Sequence, residues 1–202
     1  MMEKKRVYIL VKTYPTISEK YAELVCTAGV LEDGSWIRLY PMPFRLLKDD
    51  QKYPKYSWVE VDAERNTSDF RPESYRPEIS TMKVTDRFEK VDWEARRKII
   101  FKNKSAHKNL QALIDEAKSP SKTSLAVFKP TIILDFVVEE DTREWDQKKL
   151  AQLQAQSQQI DMFKTIEETI EEFRVVQKVP YKFSYRFEDD SGKQSKMMIE
   201  DW

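Results

Sequence analysis

Cys26-Thr27-Ala28-Gly29-Val30-Leu31-Glu32-Asp33-Gly34-Ser35-Trp36-Ile37-Arg38-Leu39-Tyr40-Pro41, followed closely by Phe44 and Arg45, is the stretch on which the fold turns. Two apolar runs, Val25 to Leu31 and Trp36 to Tyr40, flank Asp33-Gly34. That dipeptide most readily accepts the positive φ angles of a tight β-turn, so the stretch predicts a hairpin. In its second arm Trp36, Arg38 and Tyr40 alternate with Ile37 and Leu39. A basic and aromatic stripe therefore lies on one face and an apolar one on the other.

Working outward, Arg6 to Val11 is a short β-branched run that predicts a strand ended by Tyr14-Pro15, while Ser18 to Val25 fits either a helical turn or the lead-in to the hairpin. Beyond the hairpin, two prolines in three residues limit Pro41 to Leu47 to a turn or a short helix start, and the polar Lys48 to Lys55 reads as a loop. Tyr56 to Ala63 alternates as a strand, with Trp58, Glu60 and Asp62 opposite Val59 and Val61, and Ile79 to Thr85 alternates more weakly. Between them, Arg65 to Pro77 is rich in arginine and proline and should be extended, with Phe70 and Tyr75 seeking burial. Its arginines either pair internally with Asp69, Glu73 and Glu78 or face phosphates.

From Asp92 the period changes to helical, with a basic face that continues through Lys102, Lys104 and Lys108. Residues 87–108 hold eight basic and three acidic side chains. A second helix is expected over about Ala106 to Ala117, ended by Ser119-Pro120-Ser121. Ser124 to Phe128 and Ile132 to Val138 read as strands, the second apolar enough to be central. Asp146 to Gln159 reads as a polar surface helix or arm, and a third helix is expected over Thr165 to Phe173. Tyr181 to Glu200 predicts a second hairpin, with Tyr181, Phe183, Tyr185 and Phe187 on one face and Lys182 and Arg186 on the other.

Composition narrows the functional classes. A chain of 202 residues can bury a substantial core as one large domain or two small ones. Three glycines, Gly29, Gly34 and Gly192, cannot build the glycine-rich phosphate loops of Walker or Rossmann sites. One cysteine, Cys26, and one histidine, His107, exclude an internal disulfide, multi-cysteine zinc sites and His-pair metal sites, and point to a reducing, cytoplasmic compartment. No run approaches the ~20 apolar residues of a membrane span, so a soluble protein is expected. Overall charge is zero, yet residues 1–130 hold 25 basic and 19 acidic side chains against 10 and 16 in residues 131–202. That asymmetry can turn the first part toward an acidic partner such as nucleic acid.

Single-stranded nucleic acid is held by aromatic faces that stack bases and by cations along the backbone. The candidate set is Trp36, Arg38, Tyr40 and Arg45, extended by Arg65, Arg71, Tyr75 and Arg76. The competing reading buries Trp36 and Tyr40 in the core with Arg38 reaching the surface. A catalyst would have to use carboxylates such as Asp62, Glu64, Asp135 and Glu139-Glu140-Asp141 to hold magnesium for phosphodiester cleavage, and no spacing among them is diagnostic. A third class is a protein-interaction or assembly module completed at the Tyr181 to Phe187 ladder and at Trp202, by a partner or by a continuation of the chain.

At Cys26-x-Ala28-Gly29 leading to Gly34-x-Trp36-Ile37-Arg38, the sequence resembles prokaryotic proteins of the dual-OB-containing type. Ser124 to Pro130 and Pro180 to Arg186 look like segments of bacterial and archaeal proteins in the same neighbourhood. The resemblance implies small OB-like barrels, which commonly bind oligonucleotides or oligosaccharides on one sheet face. It implies no catalytic residues. The expectation is an α+β protein of two β-rich, OB-like barrels or sheets with inserted and connecting helices. Residues 1–90 form the N-terminal β part, 91–118 the helical connector and 119–202 the C-terminal β part. It acts as a non-catalytic nucleic-acid-binding module without cofactor or metal.

Overall fold

The computed structural model describes residues 1–18, 22–87, 92–148, 150–151 and 176–201. The expected helices over 146–159 and 165–173 therefore lie largely or wholly outside the described residues. The strands in chain order are β1 (Glu3–Lys12), β2 (Thr16–Ser18), β3 (Ala22–Leu24), β4 (Thr27–Leu31), β5 (Trp36–Leu39), β6 (Ser57–Arg65), β7 (Ser74–Arg87), β8 (Ile132–Glu140), β9 (Tyr181–Glu188) and β10 (Gln194–Ile199). Helices α1 (Trp93–Ile100) and α2 (Leu110–Lys118) stand between β7 and β8. The architecture is α+β with two β-rich parts, as the alternation patterns predict.

The first part is a closed barrel of order β1-β4-β5-β7-β6, in which only β5 and β7 run parallel. Register sets its interior: Val7 pairs with Leu31 and Val59, and Gly29 pairs with Ile9 and Ile37. Val7, Ile9, Ile37, Leu39, Val59, Val61 and Ala63 are all buried inside, plugged by Met42, Tyr53 and Met82. Burying each of the larger aliphatic chains contributes about 1.5–3 kcal/mol, which makes this interior the main source of stability. Tyr53 is polar at its tip, and its hydroxyl is satisfied by Thr27 Oγ1 at 2.6 Å. At Gly29 a Cβ would stand 2.1 Å from the Tyr8 carbonyl oxygen, so β1 and β4 approach too closely for any other residue.

The outward side of β1 is also covered. Tyr8 is fully buried although it alternates with interior Val7 and Ile9, because Trp58 and Tyr56 pack on it with ring centroids 5.1 and 6.5 Å away. α1 closes this cluster, with Trp93 edge-on to Tyr56 and the Arg96 guanidinium 4.1 Å from the Tyr56 ring centroid. α1 begins where the period changes in the sequence, and the structure adds its cap: the Asp92 side chain accepts from Ala95 N.

Several expectations are corrected. The second helix starts at Leu110 rather than Ala106, because His107 pairs with Phe128 in an isolated parallel bridge (His107 N to Val127 O, 2.8 Å) and Asn109 takes the cap. Ser124 to Phe128 is not a ladder strand; among the described residues it has only that one bridge. Phe70, expected to be buried, is 71% exposed at the tip of the β6–β7 loop.

The second part is a sheet of order β10-β9-β8. β8, expected to be central, is an edge strand, and the hairpin strand β9 takes the centre. Its unbroken apolar look has a local cause: the register shifts between Ile133 and Asp135, inserting Leu134. Elsewhere the sheet alternates cleanly. Ile133, Phe136 and Val138 share a face with Tyr181, Phe183, Tyr185, Met197 and Ile199, while Asp135, Arg186 and Lys196 share the other. The apolar face is covered at one end, where buried Phe187 packs on Phe128 with ring centroids 5.2 Å apart. Farther along, Phe136, Val138, Tyr185 and Met197 are 43–50% exposed.

The two parts are tied at separate places. Thr13 bridges Asp201, Tyr14 N donates to Glu200 O at 3.1 Å, and the Tyr14 hydroxyl donates to Gln177 O at 2.8 Å.

Candidate functional site

Trp36 and Arg38 sit two residues apart on β5, on the outward side predicted for them. Above them lies the chain that follows α1. Lys102 Nζ donates to Glu32 O, Asn103 Nδ2 to Asp33 O and Lys104 Nζ to Gly34 O, so three consecutive side chains clasp three consecutive carbonyls of the hairpin turn. Gly34 permits this twice over: its φ of +89° is left-handed, and a Cβ there would lie 2.2 Å from the Lys102 carbonyl oxygen. The clasp brings the Lys104 ammonium 4.6 Å from the Trp36 ring centroid, a cation–π distance. Burial pushes the Lys104 pKa down.

Arg38 lies where β5 meets β7. Its Nη2 donates to Ser124 Oγ at 3.1 Å, and that hydroxyl donates in turn to the Glu73 carboxylate. Arg38 Nε is buried without a hydrogen-bond partner among the described residues. Burial pushes the Arg38 pKa down, and the nearby Arg71 charge adds to the effect.

The loop between β6 and β7 is built from its own polar groups. Asn66 Oδ1 accepts from Ser68, and Asp69 accepts a two-pronged contact from Arg71 (Nε at 2.9 Å, Nη2 at 2.7 Å), which holds the Asp69 carboxyl well below the usual carboxylate range. Arg71 thus takes the internal pairing that the sequence allowed. Arg65 Nη1 donates to the carbonyls of Ser74 (2.6 Å) and Asn66 (3.3 Å), closing the loop base. Phe70 projects from the tip, with Lys122 Nζ 5.5 Å from its ring centroid.

The other candidates are dispersed. Tyr75 packs against the barrel core with Lys5 Nζ 5.4 Å from its ring. Arg76 is exposed beside its register partner Glu64. Tyr40 is half-buried before the cis bond to Pro41, and Arg45 is half-buried on a single 3-10 turn, Phe44–Leu46. The site as assembled therefore runs from Lys104 over Trp36, through Arg38 and Ser124, to Lys122 over Phe70 with Arg71 beside it. Lys104, Ser124 and Lys122 were not among the sequence candidates. The basic density of residues 87–108 was visible, but only the clasp places Lys104 on Trp36.

The carboxylates considered for metal binding are split between the two sheets. Asp62 and Glu64 lie on the barrel, while Glu139 pairs with Lys196 at 2.8 Å and Asp141 with Lys178 at 3.1 Å on the second part. Among the described residues, no three His, Cys, Asp or Glu side chains stand together as a metal site, and no helix is long and apolar enough to cross a membrane.

A family model described as Domain of unknown function (DUF8758) matches residues 3–102, and one described as Domain of unknown function (DUF8757) matches residues 102–202. No curated protein and no solved structure matches the chain.

Proposed function

We propose that this chain, which belongs to the DUF8757 family through residues 102–202, is a cytoplasmic, non-catalytic nucleic-acid-binding protein that engages its ligand on the outside of the barrel. The observation that carries the reading is the track from Trp36 to Phe70, in which aromatic rings and cations alternate along one surface. Trp36 and Arg38 are about 6.6 Å apart along a strand, a spacing that suits successive nucleotides. Phe70 offers an open face for stacking at the far end. The closed strand order, with β1 paired to both β4 and β6 and one parallel β5–β7 contact, supports an OB-like barrel, a fold that commonly binds oligonucleotides on one sheet face.

Fluorescence anisotropy tests it, using single-stranded and duplex DNA and RNA at about 50 and 200 mM salt. Phe70→Ala and Lys122→Ala are suitable variants because both residues are exposed, so losing them disturbs the fold little. Loss of one stacking platform, worth about 1–3 kcal/mol, weakens binding by roughly 5- to 150-fold. Absence of binding at low salt, or wild-type affinity in both variants, refutes the reading.

A second reading, an assembly module, is favoured by the apolar face of the β10-β9-β8 sheet. The surrounding segment is acidic, and the cations Lys182, Arg186 and Lys196 point away from the exposed rings, which suits a protein surface better than a phosphate backbone. Sedimentation of wild type and Phe136→Asp over a range of concentrations separates the two readings. Association that the variant abolishes supports assembly.

A further inference from the structure

Beside the clasp lies a cavity of about 520 Å³, lined by Arg97, Phe101, Lys104, Ser105, Lys108 and Lys129 among others. Four of these are cations and none of the lining residues is a carboxylate. The backbone holds the charges there. Lys129 N donates to His107 O at 2.8 Å in the same bridge that joins His107 to Phe128, so Lys108 and Lys129 follow paired residues on adjacent segments. Arg97 comes from the last turn of α1, and its carbonyl accepts from Phe101 N at 2.9 Å, which fixes Phe101 as the apolar wall.

Among the described residues Arg97, Lys108 and Lys129 make no ion pair. Asp190 approaches from the second sheet, but its backbone N donates to Lys108 O at 3.1 Å and its carboxylate accepts from Asn109 Nδ2 at 2.9 Å. Arg97, Lys108 and Lys129 are exposed around this concave space, and like charges clustered there set up a positive potential that attracts an anion. The volume lies within the roughly 300–1,000 Å³ of small-molecule sites.

We infer that this cavity binds the phosphate of an organic phosphate, with Arg97, Lys108 and Lys129 on the phosphate oxygens and Phe101 against the organic group. Arg97 can present a two-pronged fork to two oxygens, and the lysines supply point charges on either side. This goes beyond the strand-binding reading, because none of these three cations belongs to the Trp36 to Phe70 track. The phosphate has two possible sources, a free nucleotide or the 5′ end of a nucleic-acid strand.

The test uses the full chain and inorganic pyrophosphate, titrated calorimetrically against sodium chloride of matched ionic strength. Wild type is expected to bind saturably. Lys108→Ala/Lys129→Ala and, separately, Arg97→Gln each weaken the affinity by about tenfold or more, as expected for lost charge-assisted contacts. Circular dichroism identifies which variants remain folded, and because Arg97 and the two lysines sit on different segments, the two variants check each other. Displacement then identifies the source. A nucleoside diphosphate that displaces pyrophosphate marks a free nucleotide, whereas displacement only by a 5′-phosphorylated oligonucleotide, and not by its 5′-hydroxyl counterpart, marks a strand end. Either result supports the site. No saturable pyrophosphate binding by wild type, or wild-type affinity in both folded variants, overturns it. Neither outcome depends on Phe70 or Lys122, so this site and the strand track stand or fall separately.

Discussion

Gly34→Ala probes the point at which the connector locks onto the barrel. An alanine there must adopt a φ of +89°, which costs about 1–2 kcal/mol, and its Cβ would stand 2.2 Å from the backbone oxygen of Lys102. A backbone atom cannot swing aside as a side-chain tip can, so the connector has to lift. Lifting weakens the contacts of Lys102, Asn103 and Lys104 with the turn carbonyls, each worth about 0.5–1.5 kcal/mol net. Loss of one or two of them brings the total to about 1.5–5 kcal/mol, a large share of the 5–15 kcal/mol typical of a folded chain. Urea unfolding followed by circular dichroism measures the cost, and acrylamide quenching of tryptophan emission reports whether Trp36 has lost its Lys104 cover. Asn103→Ala, which removes one contact without touching Gly34, should cost only about 0.5–1.5 kcal/mol. A Gly34→Ala protein within about 0.5 kcal/mol of wild type, with unchanged quenching, would refute the clasp.

Other expectations follow from buried groups. Tyr53→Phe leaves the Thr27 hydroxyl without its partner inside the barrel and should cost about 1–3 kcal/mol, and a double-mutant cycle with Thr27→Val should recover part of it. Phe187→Ala empties the contact with Phe128 and should cost about 3–5 kcal/mol by denaturant unfolding. Asp69 gives a pH signature. Because Arg71 lowers its folded pKa below the ordinary 3.8, the stability it contributes is complete above that value and is lost as pH falls through and below it. Asp69→Asn should therefore lower the melting temperature near neutral pH and lose less than wild type on acidification toward about pH 3, as thermal scans across that range would reveal.

What could be read from the sequence was local. Asp33-Gly34 between apolar runs specifies the β4–β5 hairpin, strict alternation marks β6 and β9, and the change to a helical period from Asp92 marks the start of α1, because each signal lies within a few residues of its partner. The misreadings came from distant partners. Nothing near Ala106 says that Phe128 will hold residues 106–108 extended, and the apolar run of β8 gives no sign that β9 takes the centre of the sheet. The site followed the same rule. Trp36 and Arg38 were legible as one stripe, but their covering by Lys104 and Ser124 depends on chain 68 and 86 residues away. The use of Arg65 on backbone carbonyls rather than on a carboxylate depends on loop geometry that composition does not encode.

The ties between the two β-rich parts have a thermodynamic consequence. Ser124 reaches from the segment after α2 to Arg38 and Glu73, and Thr13 and Tyr14 hold Asp201 and Glu200 beside the end of β1. A ligand on the barrel and a partner on the apolar sheet would therefore act on shared joints rather than on two isolated bodies. If occupying one surface tightens or loosens those joints, the affinity of the other changes, and reciprocity requires that occupying the second change the affinity of the first by the same factor.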